Sequence, residues 1–353
     1  METKIFHFTE EGKIFARMDN IKKISHVPQK IAVFVYDDRY QNNPLELFKK
    51  YNPQTYQNTT FSIEFENELW VCLKFNIVKN DVEVSKERDA EVFVLVSKKT
   101  PIVIMLTSCK REQFEDKLNY FNKFYPFLSR IFYRSFEINE LLASAENLNK
   151  LNISVKSYVV KRYYEKPKTE VCYEDINYGE AFRKASENYL WVDSIQLRID
   201  EKGMLRINRR GVISFYGFDF SSVYSWFITK IIEKQTKLYM SVLKNKSRTL
   251  DNLEPKPIKF TILDDIFKTP EDIQQLIKLI GSKLSNWGYS ILYNDGPFLS
   301  MILHDYVSGS SYDLLIGSAS EILIIPQTQV TPISFNQLIN FLMNNYDGEI
   351  ENG

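Results

Sequence analysis

One order of elements occurs twice in this chain, and it limits the available folds more than any motif does. Near the N-terminus an unbroken apolar run, 31–36, reads as a strand buried on both faces. A short helix at 44–51 follows, then four strands at hairpin spacing, 61–66, 69–77, 92–96 and 102–106, and a helix opening near Lys110. Near the C-terminus the series returns. Strand 259–263 leads to a helix with Thr269 as cap and Pro270 at its first position, running to 286. Strands 289–293, 298–306, 312–316 and 322–325 come next, and helix 334–346 closes the unit. The closing helices align residue by residue: Phe114, Leu118, Phe121 and Tyr125 against Phe335, Ile339, Leu342 and Tyr346.

These observations predict an α+β protein of repeated strand–helix–antiparallel four-strand–helix units, with pseudo-duplicated N- and C-terminal lobes around a central strand-plus-long-helix region. The expected divisions are 1–150, 151–250 and 258–347. A hairpin at 4–18 precedes the first unit, and a second helical run at 127–148, after Pro126, ends it. The linker to the last unit is the stretch 245–259, which holds Pro255 and Pro257.

The central region reads as a looser third copy: strand 153–164, helix 178–188, strands 195–199, 204–208 and 212–216, and a long helix at 221–246. Glu201-Lys202-Gly203 supplies a turn, and Arg209-Arg210-Gly211 interrupts the last strand pair with a bend. In the long helix Phe227, Ile228, Ile231, Ile232, Leu238, Tyr239, Val242 and Leu243 gather on one face at 3.6 residues per turn. The opposite face carries Lys230, Lys234, Lys237, Lys244 and Arg248 in a narrow stripe, with Glu233 the acid beside it. A lysine stripe most commonly keeps a helix face wet. It can also track a phosphate backbone by displacing counterions, with Arg209 and Arg210 as further contacts.

Composition bounds both readings. Lys plus Arg and Asp plus Glu each total 45 in 353 residues, so a nucleic-acid role must come from a local patch and not a global field. Hydrophobic residues at 44% support a folded core. Cys72, Cys109 and Cys172 are odd in number and far apart, forming neither a disulfide framework nor a zinc cluster, which fits a reducing cytoplasm. The apolar runs are strand-sized, short of the ~20 residues of a membrane helix, so no membrane partner is expected. Heavy use of Lys, Asn, Ile, Tyr and Phe suits an AT-rich genome, such as that of a low-GC bacterium or its phage.

Chemistry is thin. The three histidines, His7, His26 and His304, have no second ligand type at helical spacing. On strand 298–306 Leu299, Met301 and Leu303 mark one face, which puts His304 with Ser300 and Ile302 on the other. Asp37-Asp38, at the end of a buried strand, stand where a divalent cation would be held, yet they also begin a turn into Asn42-Asn43-Pro44. Ser108-Cys109 lies between a central strand and a helix, a position that can activate a thiol, but no histidine can be assigned to it. Glycine-rich phosphate loops are absent from the sequence. The expectation is a cytoplasmic, non-catalytic scaffold or adaptor with a protein partner, no cofactor and no metal. The alternative is a nucleic-acid-binding protein using the basic helix face.

Overall fold

The computed structural model describes residues 28–36, 43–50, 60–76, 92–125, 127–162, 168–188, 190–200, 202–244, 257–262, 264–327, 330–346 and 348–351. The hairpin expected at 4–18, Asp37-Asp38, Arg248 and most of the linker at 245–259 lie outside them. The chain divides into two compact units, meeting in sequence between Lys234 and Gln235. Both are α+β, with antiparallel strand pairing throughout.

The first unit is built on β1 (Gln29–Tyr36), which is buried along its whole length. It pairs with β5 (Ile102–Ser108) on one side. On the other it pairs with β11 (Val212–Tyr216) at residues 29–32 and with the short β6 (Leu128–Arg130) at 34–36. Beyond β5 the sheet continues through β4 (Val92–Ser97) and β3 (Trp70–Asn76) to β2 (Thr60–Glu66). Beyond β11 it continues through β10 (Gly203–Asn208), β9 (Trp191–Ile199) and β7 (Ile153–Arg162) to β8 (Lys168–Cys172). One sheet therefore crosses position 150, where a boundary was expected.

Strand alternation gives this sheet two different faces. Ile31, Val33 and Val35 share one core with Leu95, Ile104, Leu197, Ile207 and Ile213. That face is covered by α3 (Ser135–Asn149), α4 (Tyr178–Glu187) and the segment from Phe220 to Ile231. Among the described residues the other face is covered only over the β1–β5 half. There α1 (Leu45–Lys50) and α2 (Arg111–Phe124) bring Phe48 and Phe121 against Phe75 at 5.6 and 5.3 Å between ring centroids. Over β9 to β11 the same face holds Gln196, Arg198, Arg206, Asn208 and Ser214, the polar-out pattern of a sheet wetted on one side.

Three local readings change. The helical run expected from 127 starts only at Ser135, because Leu128–Arg130 finds a ladder position on β1 that the apolar pattern alone does not reveal. The long helix is not uniform. A short α5 (Phe220–Val223) passes through a π-helical turn, Tyr224–Ile228, into α6 (Thr229–Lys244). The central region, read as a looser third copy, also has a different strand order. Here β7 lies beside β9, the first strand of its meander, whereas β1 lies beside β5, the last of its own.

The second unit orders its strands β13 (Trp287–Asp295), β14 (Phe298–Asp305), β15 (Ser311–Ser318), β16 (Glu321–Pro326), β12 (Ile258–Ile262) and β17 (Gly348–Glu351). Leu299, Met301, Leu303, Leu314, Ile322 and Ile324 are buried on one face, together with Ile273, Leu276 and Ile280 of α7 (Pro270–Lys283) and Leu338 and Leu342 of α8 (Pro332–Asn345). Helix α7 starts as expected: Thr269 Oγ1 accepts from Asp272 N at 3.4 Å, and Asp272 Oδ2 accepts from Thr269 N at 2.9 Å. Neither α7 nor α8, nor any other helix among the described residues, is long and apolar enough to cross a membrane.

Candidate nucleic-acid interface

The stripe and the arginine pair meet different fates in the structure. On α6, Lys230 Nζ lies 2.9 Å from Glu233 Oε2, one turn away on the same helix. Lys234 reaches off its helix to α3, with Nζ 2.8 Å from Glu137 Oε1 and 3.5 Å from Glu140 Oε2. Lys237 is exposed to solvent. The backbone of Lys244 ends α6, and Arg248 lies outside the described residues.

Glu137 is the centre of a buried cluster. Its Oε1 also lies 3.0 Å from Arg134 Nε, and its Oε2 accepts from the Arg134 backbone N–H at 2.8 Å, closing the first turn of α3. Burial pushes the Glu137 carboxyl up, but Arg134 and Lys234 outweigh it and hold the group below the usual carboxylate range. Lys234 is therefore a clamp between α6 and α3. Replacing it by Gln is expected to lower stability by about 1 kcal/mol, since its side chain is 44% exposed and the pair is partly screened. Lys237→Gln is expected to stay within about 0.5 kcal/mol. Paired urea titrations check the contrast.

Arg209 and its neighbour Arg210 separate completely. Arg209 is 1% exposed, its guanidinium lying between the Phe132 ring at 5.0 Å and the Trp191 ring at 5.1 Å. Its Nε donates to Tyr133 O at 3.3 Å, and its own carbonyl accepts from Tyr133 N at 2.8 Å. A guanidinium so enclosed is out of reach of a phosphate backbone. Arg210 is exposed and sits close enough to Arg130 to lower that group further, after burial. The bend itself depends on Gly211, at φ +71°, where an added Cβ would fall 2.3 Å from Ile131 O. Of the expected set whose side chains are described, Lys237 and Arg210, on separate elements, are the exposed members outside the ion pairs just given.

The catalytic candidates are also placed. Burial pushes the Cys109 thiol up, against the opposing pull of Thr107, Lys30 and Lys117, so the position after β5 makes no ready thiolate. His304 is exposed on the open face of β14, opposite Gly288 and Ser311. Among the described residues no three His, Cys, Asp or Glu side chains gather where they could hold a metal ion.

Two surfaces escaped sequence reasoning. The first is a groove of about 590 Å³ between the start of α2 and the open face of β10 and β11. Its cations, Lys30, Lys110, Arg111 and Arg206, come from three places far apart in sequence, so no single local signal announces them. The second is β13, which pairs only with β14 among the described residues. Ile291, Leu292 and Tyr293 are 44%, 63% and 53% exposed on it. Three consecutive apolar residues beside a polar hairpin turn were the available signal for that edge. No protein-family model matches the chain, and no curated protein matches it.

Proposed function

We propose that this is a non-catalytic interaction protein, a scaffold or adaptor that takes an extended segment of a protein partner onto β13. The carrying observation is that edge. An exposed, apolar edge strand presents unpaired backbone groups and side-chain contacts to an incoming strand. The register shift between Ile291 and Tyr293 turns Leu292 outward at the middle of the strand. Half-buried Ile302, Leu315, Leu323 and Ile325 continue the apolar surface across the open face of the same sheet.

The two units are, on this reading, copies of one ancestral α+β element. Support comes from strand order: β2-β3-β4-β5-β1 with β6 on β1 in the first unit, and β13-β14-β15-β16-β12-β17 in the second. Nucleic-acid binding through α6 is the weaker reading, because Glu233 engages Lys230 and Glu137 and Glu140 engage Lys234.

The test is a double substitution, Leu292→Lys with Tyr293→Lys. Both positions are exposed, so each change is expected to move stability by no more than about 0.5 kcal/mol. Affinity capture from the native cells should retain a stoichiometric protein partner with the wild-type chain and lose it with the variant. Retention of the same partner by a folded variant would defeat the edge-strand reading.

A further inference from the structure

We propose that the groove between α2 and the β10–β11 face binds the phosphate group of a nucleotide-sized ligand. Four cations line it: Lys30 on β1, Lys110 and Arg111 at the start of α2, and Arg206 on β10. Lys30 is buried, and its ammonium donates to the carbonyls of Cys109 and Pro28. Arg206 donates to Ser194 Oγ at 3.0 Å. Among the described residues neither Arg111 nor Arg206 has a carboxylate within ion-pair distance. Of the two acids in the lining, Glu112 favours the charged form of Lys30 within the groove and Glu115 that of Arg130 outside it.

Four cations against two carboxylates leave the lining with two positive charges in excess, and two of its cations are guanidiniums facing one groove. Partial burial lowers Arg206 and Arg111 lowers it further, against a smaller opposing pull from Asp193, so the two guanidiniums still make each other costlier. A bound anion removes that cost. Guanidinium forks match phosphate oxygens in a bidentate way, and a phosphate dianion balances two of them where a single carboxylate does not. The start of α2 adds its own preference for negative charge. A volume of about 590 Å³ falls in the range of small-molecule sites and exceeds what a lone phosphate needs. The lining also includes Tyr216, 50% exposed, an aromatic ring against which a planar group can pack.

Isothermal titration calorimetry on the full chain at low ionic strength tests this, with ADP, inorganic pyrophosphate and a single-stranded DNA dodecamer as probes. ADP is expected to bind saturably, and pyrophosphate to compete with it. Arg111→Gln and Arg206→Gln should each weaken ADP at least tenfold. Arg198→Gln, on the same sheet face outside the groove, should leave binding unchanged. Arg111 and Arg206 are surface side chains, and thermal unfolding verifies that the variants fold; if Arg206→Gln does not, Arg111→Gln alone decides. Absence of saturable ADP binding by the wild type overturns the proposal. So does failure of pyrophosphate to compete, or equal weakening by Arg198→Gln. Binding of the dodecamer without ADP also overturns it, and points to an extended polyanion instead.

Discussion

Glu137→Gln is expected to destabilise the first unit by about 3–5 kcal/mol, because it strands a buried guanidinium without its counter-charge. Arg134 and Glu137 are both 8% exposed, and Lys234 adds a second cation to the same carboxylate oxygen. The amide of Gln can still accept from the Arg134 backbone, so the helix cap survives while the charge balance does not. Acid should act on the wild type in the same way. A carboxylate held below its unfolded value contributes stability that is present above the unfolded pKa, about 4.3 for Glu. That stability is lost as pH falls through the depressed folded value. The wild-type unfolding free energy should thus fall steeply below about pH 4.3, and the Gln variant should lack that part of the slope. Urea denaturation across a pH series measures both effects. The pair Arg134→Met with Glu137→Leu should recover most of the loss, since apolar replacements remove both desolvation costs together. A loss under 1 kcal/mol for Glu137→Gln alone would mean that the cluster is hydrated and that Lys234 does not clamp α6 to α3.

That cluster also marks the limit of what could be read from the chain. Periodicity is a local signal, and it served where burial follows it. The alternation of Leu299, Met301 and Leu303 placed the buried face of β14 and put His304 on the other side, as the structure has it. The cap and proline of α7 were equally local, with Thr269 and Asp272 three residues apart. Long-range pairing leaves no such trace. Nothing near Gln29 announces that it lies opposite Phe215, so the continuity of the first sheet was invisible. Short strands failed for a related reason. Leu128–Arg130 and Gly348–Glu351 are too brief to show a period, and each is a strand only because a partner edge waits for it. Charge was the most misleading signal. Lys234 and Arg209 read as solvated cations because their partners, Glu137 in one case and Phe132 with Trp191 in the other, are remote in sequence.

Arg209→Ala is the second large effect, expected at about 3–4 kcal/mol, since it empties the volume of a fully buried long side chain that the surroundings cannot close. It also removes a cation held between two aromatic faces, a contact worth about 2 kcal/mol when desolvated, and leaves the Tyr133 carbonyl without the Nε donor. Arg209→Lys should recover little, because an ammonium cannot lie flat between the Phe132 and Trp191 rings while donating sideways to Tyr133 O. The adjacent substitution is the internal control. Arg210 differs by one position and is exposed, so Arg210→Ala is expected to stay within about 0.5 kcal/mol. Chemical denaturation of the three variants decides the matter, with native-state hydrogen exchange at Tyr133 and Ile131 reporting whether the 131–134 segment stays docked on the sheet. The opposite result, Arg209→Ala at native stability but with lost affinity for an oligonucleotide, would return Arg209 to the surface and revive the phosphate-tracking reading.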